Sequence, residues 1–358
     1  MYIFFALILF LPMLALRRRT DSDTHVLDSK STTCIKGILC IYVMLHNLGL
    51  DLPNDRLKET ICEHAGGVGV GLFFFLSAYG IIRAYQARGN RYLGHLLLVH
   101  IPKMWVVAVF INTITYFKFM RGEFEPLDMW LRILNLDLFN GMRGINRHGW
   151  YIASIIALYV IFAAVYFICS KLKTEKKFII AACIMVFVVI GFRAAAVLTN
   201  YGRLYTRELP TFAIGCLYAT FYDKINAFAR KHFKLGMILS VPAFVIGFLL
   251  SEPVASYAAA IIIILVSQKY TYYSKVTHFL GKICLGVYLF LHYSSFTLIY
   301  FIYQEYLWVL LNAGFILEVA VAIYAAQYAI DYAVRRVKNW ILKKSGHIDK
   351  VAASEPQQ

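Results

Sequence analysis

From about residue 34 to residue 330 the chain is a succession of apolar runs, each closed by a short polar segment. The runs fall at roughly 34–50, 67–84, 96–117, 150–170, 178–198, 206–222, 235–251, 254–267, 283–303 and 308–330. A single soluble core cannot hide them. Hydrophobic residues make up 60% of the 358 and charged residues 16%, against roughly 45–50% and about 25% in soluble domains. Since about 20 apolar residues span a bilayer as a helix, the sequence predicts an all-α, polytopic integral membrane protein with about 10–11 transmembrane helices.

The formal net charge of +16 does not point to nucleic acid, because the basic residues sit in short clusters between the apolar runs. Membrane topology explains such a pattern: cytoplasmic loops collect Lys and Arg. Of the 36 Lys and Arg, 25 fall in alternate segments beginning with 17–36, and the opposite loops share nine. That bias predicts eleven crossings of the membrane, with the N-terminus outside and the C-terminus inside. Met1–Leu16 precedes Arg17, Arg18 and Arg19; a secretory signal would carry its charges before the apolar stretch, so an uncleaved helix is expected. The seven cysteines show no CxxC spacing and lie almost entirely in apolar runs, which predicts neither a metal site nor a disulfide framework.

Three regions follow. Residues 1–31 form the N-terminal hydrophobic helix and a basic cytoplasmic linker, 32–333 the transmembrane domain, and 334–358 a basic and then disordered cytoplasmic tail. The one long connection is Lys118–Gly149. Within it Leu127, Trp130, Ile133, Leu134 and Leu138 recur at helical spacing, which suits a short helix in the membrane interface or an ordinary amphipathic connector. No internal repeat is visible.

No Walker motif, GxGxxG, HExxH or GxSxG is present, so chemistry must come from polar residues embedded in apolar helices. Foremost is Cys34–Leu50, CIKGILCIYVMLHNLGL, with Lys36 near one end and His46 near the other. Ionisable groups inside a bilayer are costly and point to function by default. An imidazole can take a proton from a hydroxyl and return it to a leaving group; it can also simply hydrogen-bond a neighbouring helix. In GGVGVGLFFFLSAYGIIRAY (66–85), Gly66, Gly67, Gly69 and Gly71 permit close approach of a helix or ligand at one helix end, and Ser77 can donate or merely pack. Arg83, Arg88 and Arg91, followed by His95 and His100, suit the phosphates of an intracellular substrate or ordinary cytoplasmic charge. Arg193 and Glu208, on successive segments, are a candidate ion pair.

Taken in order, CIKGILCIYVMLHN, GVGLFFFLSAYGII, RYLGHLLLVHIPKMW, HGWYIASIIALYVIF, LPTFAIGCLYA and LGKICLGVYLFLHYSSF resemble the acyltransferase-3 family of membrane O-acyltransferases. The resemblance runs from about residue 32 to 330. It implies transfer of an acyl group, commonly acetyl, from cytoplasmic acyl-CoA to a hydroxyl of a glycan or cell-envelope molecule, with no tightly bound cofactor. It implies His46 as the catalytic histidine and Lys36 as its basic partner. On the substrate side it implies Ser77, Arg83, Arg88 and Arg91, with Trp150 at an aromatic helix start and His292 as a late histidine. This chain departs from the family in its first helix, where Lys36 and His46 are ten positions apart rather than eleven. At 3.6 residues per turn, eleven returns to within about 20° of one face and ten lands about 80° away. The expected partners are acyl-CoA, the acceptor and the bilayer; oligomeric state is open. Two other readings stand beside this one: a secondary transporter of a small molecule or lipid-linked sugar, and a non-catalytic member of an envelope-polymer assembly.

Overall fold

The computed structural model describes residues 15–19, 26–50, 56–119, 125–136, 149–199 and 206–298, with isolated helical positions between 318 and 340. For 45, 47–50, 56–63, 115, 118, 119 and 290–298 it describes the backbone alone. Most of the expected helix at 1–16, the last apolar run and the tail lie outside the described residues.

The molecule is a helical bundle, as its apolar runs require. In chain order the helices are α1 (Ser29–Leu50), α2 (Arg56–Arg88), α3 (Asn90–His95), α4 (Ile101–Phe119), α5 (Pro126–Ile133), α6 (Gly149–Ser170) and α7 (Lys177–Leu198). There follow α8 (Pro210–Thr220), α9 (Tyr222–Lys231), α10 (Phe233–Leu250), α11 (Glu252–Val266) and α12 (Lys275–Leu298). A π-helical turn, Leu96–His100, joins α3 to α4. Pro102 lies just beyond it and cannot donate a backbone hydrogen bond, so the chain widens its helical turn instead of breaking. Among the described residues, five stretches are long and apolar enough to cross a membrane by themselves: His64–Arg88, Asn90–Ile114, Gly149–Ser170, Lys177–Leu198 and Phe233–Leu250.

Burial ranks these helices. In the spanning part of α2, 83% of residues are buried, compared with 11% in α10. Helix α2 is thus the central post, in contact with α1, α8, α10 and α11. Helices α7 and α10 present Phe187, Ile190, Ile238 and Leu250 outward. Such apolar surface is stable against lipid and would be a liability in water.

The apolar run at 206–222 is not one straight crossing. Helix α8 has 11 residues, about 16 Å of rise, and is preceded by a turn at 206–209. Proline at N1 sets the start, because it has no N–H to leave unsatisfied there. The turn leaves Arg207 and Glu208 at the helix mouth. The amphipathic connector appears as α5. Its Asp128 and Arg132 pair at 2.7 Å, Ile133 is buried, and Leu127 and Trp130 are exposed, a surface suited to an interfacial helix.

A second departure from expectation is a small sheet. Leu16–Arg18 (β1) pairs antiparallel with Tyr270–Tyr272 (β2), Arg17 opposite Thr271. Arg19 Nη1 then donates to the Ser267 carbonyl at 3.1 Å, and the Arg17 guanidinium lies 4.9 Å from the Tyr273 ring centre. Three residues per strand carry too little periodicity to read from sequence.

Helices α1 and α12 run side by side in the same direction, since Cys34 meets Ser274 and Gly37 meets Thr277 and Gly281. A Cβ on Gly37 would lie 2.9 Å from the Gly281 nitrogen, and one on Gly281 would lie 2.8 Å from the Thr33 carbonyl carbon. Backbone contact this close is how helices associate where lipid is as apolar as side chains. Gly37→Ala should therefore force the helices apart and cost about 1–3 kcal/mol, the usual range for overpacking. A lowered midpoint of thermal unfolding in detergent would show it.

Candidate active site

Helix α1 shows two faces to two neighbours. Leu39, Tyr42 and Val43 lie against Gly69 of α2. His46, one turn further on, lies against Gly66. A Cβ on Gly66 would sit 2.6 Å from His46 Cδ2 and 2.7 Å from Nδ1, so the ring has room only because position 66 has no side chain. Lys36 and Gly37 belong to the other face. Gly37 contacts α12, and Lys36 lies within electrostatic reach of Cys284 on the same helix. The ten-residue spacing has a concrete result: His46 faces α2 and Lys36 lies toward α12.

The next residue of α2 seats a second group. A Cβ on Gly67 would lie 2.9 Å from Glu252 Cδ and 3.2 Å from Glu208 Oε1. Glu208 stands two residues before Pro210, the first residue of α8, and Glu252 is the first residue of α11. Two helices therefore direct their positive ends at these carboxylates. Arg207 spans them, donating from Nε to Glu208 Oε1 at 2.9 Å and from Nη2 to Glu252 Oε2. Thr211 Oγ1 donates to the Gly71 carbonyl at 2.6 Å and Ser256 Oγ to the Gly67 carbonyl at 3.4 Å, which fixes both helix starts on α2. His64 Nδ1 meets the Phe248 carbonyl of α10, with the two rings edge to face. The imidazole and the carboxylates thus contact consecutive residues of the central helix.

Sequence reasoning reached part of this arrangement. It found His46 and the glycine run but missed Arg207 and Glu252. The expected Arg193–Glu208 pairing is replaced among these contacts: Glu208 is held by Arg207, and Arg193 Nη1 donates to Thr206 Oγ1 at 3.1 Å. The one available signal for Glu252 was the run Ser251-Glu252-Pro253, an acidic first turn with proline inside it, as at a helix start.

The remaining candidates lie deeper in the bundle or at its other end. Ser77 is within hydrogen-bonding reach of Tyr151 and Tyr159. Tyr151 stacks edge-on with Phe74 at 4.9 Å and Tyr288 at 5.3 Å between ring centres. Trp150 opens α6 half-buried, 6.4 Å from the Phe74 ring. The His100 ring is 5.8 Å from Tyr159. At the end opposite His46, Arg83 is turned onto Tyr222, 4.3 Å from its ring centre, and donates to Gln86. Arg88 and Arg91 are exposed. His292 lies in α12, and its side chain is outside the described residues.

The fold and these residues define a multi-pass membrane protein with acid–base groups at one end of the bundle and cations at the other. The family model of the acyltransferase-3 type, described as an acyltransferase domain, matches residues 30–328, and the chain belongs to that family of membrane acyltransferases. No curated protein and no solved structure matches the chain.

Proposed function

We propose that the protein passes an acyl group, acetyl in the first place, from cytoplasmic acyl-CoA to a hydroxyl of a cell-surface glycan or its precursor. The observation that carries this reading is His46, seated on Gly66 at the end of the bundle where Glu208 and Glu252 also converge. With the N-terminus outside, as the charge bias implies, that end is the outer one, and Arg83, Arg88 and Arg91 lie on the cytoplasmic side. The CoA phosphates would meet those arginines, and the pantetheine arm would reach inward along the helices.

His46 then acts as general base. Its imidazole takes the proton of the acceptor hydroxyl as that oxygen attacks the thioester carbonyl. The tetrahedral intermediate collapses with loss of the CoA thiolate, which receives the proton from the imidazolium. Trp150 and His292 are the candidate donors to the oxyanion; Ser77, about 16 Å of helical rise from Gly66, would instead line the path of the donor deeper in the bundle. Lys36, in this reading, influences the reaction from the α12 side and does not touch the imidazole.

Sealed membrane vesicles of both orientations test the proposal. Labelled acetyl-CoA added outside inside-out vesicles should label glycan on the lumenal face, whereas right-side-out vesicles should take up no label without permeabilisation. Label transfer of equal extent in both would overturn the sidedness. Movement of acceptor across the membrane with no acyl group gained would overturn the enzyme reading.

A further inference from the structure

We propose that Glu208, held by Arg207 beside Gly67, is the subsite that binds the acceptor, and that it accepts a hydrogen bond from a sugar hydroxyl. The proposal rests on the acyl-transfer reading above and adds to it a residue and a ligand chemistry.

The side chain of Glu208 is 4% exposed. One of its oxygens, Oε1, is bonded to Arg207; the other, Oε2, is buried with no donor among the described residues, its carboxylate neighbour being Glu252. A buried acceptor left unsatisfied is costly, more so on an ionised group, and such groups persist in native structures chiefly where a ligand or water completes them. Several elements hold the carboxylate in place at that cost. The Thr211 hydroxyl, shared between the Glu208 and Gly71 carbonyls at 2.6 Å each, ties this turn to α2, and Gly67 leaves the space into which the carboxylate projects.

The chemistry of the vacant bond selects the ligand class. Arg207 already supplies a cation to the pair, and the Glu252 carboxylate beside it offers only a second negative charge, so what an ionised Glu208 lacks at Oε2 is a donor. A neutral hydroxyl provides one, and a carboxylate oxygen has lone pairs for it. A polyhydroxylated acceptor can spend one hydroxyl on Glu208 and present another to His46, because the two groups meet α2 at Gly67 and Gly66, about 1.5 Å apart along the helix axis. Binding energy taken from a non-reacting hydroxyl would orient the reacting one.

The test is acyl transfer from labelled acetyl-CoA to the de-acylated envelope glycan fraction of the producing cells, titrated by total sugar, with full-length protein in native membranes. Glu208→Gln replaces one acceptor oxygen by a donor. It should raise the apparent KM for the glycan at least tenfold, leave the KM for acetyl-CoA within twofold, and be insensitive to EDTA in both forms. Glu208→Asp, which keeps the charge, should fall between the two. An unchanged glycan KM, or a glycan KM and acetyl-CoA KM that rise together, would overturn the subsite. So would loss of transfer on chelation, which would make Glu208 a cation ligand. Wild-type protein that transfers no label to any fraction would remove the acyl-transfer reading itself, and the subsite with it.

Discussion

His46→Ala should lower acyl transfer by roughly 10²–10⁴-fold, the range that a positioned general base contributes, with the protein present in the membrane at its normal level. The ring is half-buried and lies against the backbone of α2 at Gly66. Truncating it therefore removes a functional group without opening a large void in the apolar core. Acceptor-dependent label transfer from acetyl-CoA, normalised to protein in the membrane, gives the measurement. Normal transfer by this variant would remove His46 from the mechanism.

Gly66→Ala should lower the turnover number by about 10²-fold, the loss associated with displacing a reacting group by about an ångström. The added methyl would meet the His46 ring at its root, with Cδ2 and Nδ1 only 2.6 and 2.7 Å away. Cγ is one bond from the backbone-attached carbon, so the ring cannot swing clear by a small rotation; χ1 must change or α1 must move off α2. Gly80→Ala is the matched control. It lies on the same helix, and its Cβ would meet nothing within 4 Å, so its activity should stay near wild type. Equal losses in both variants would show that α2 merely tolerates alanine poorly. A loss confined to Gly66→Ala would show that the seat of the imidazole matters.

These expectations depend on two kinds of information in the chain. Apolar periodicity is local, and so the spanning segments, the amphipathic α5 and the histidine of α1 could all be read directly. The offset between Lys36 and His46 was also legible, because helix geometry alone puts ten residues about 80° out of register. Where each of the two faces leads was not. Gly37 could equally have met α2, and only the assembled bundle shows it against Thr277 and Gly281 of α12.

The β1–β2 pair and the Arg207–Glu208–Glu252 group were hidden for a related reason. Arg17 and Thr271 are far apart in sequence, as are Arg207 and Glu252. Each segment by itself resembles ordinary loop charge. Arg193 looked the natural partner for Glu208 by position between successive segments, yet the guanidinium next door reaches it first.

The sequence by itself determined that this chain is an all-α membrane protein of the acyltransferase-3 type with His46 prominent among the polar residues embedded in its helices. Apolar length and residue order suffice for that, because a bilayer permits so few alternatives. The tertiary structure alone decided that His46 rests on Gly66 and that two carboxylates rest on Gly67. Those contacts join helices whose sequences are independent of one another, and close packing around α2 is what brings them together.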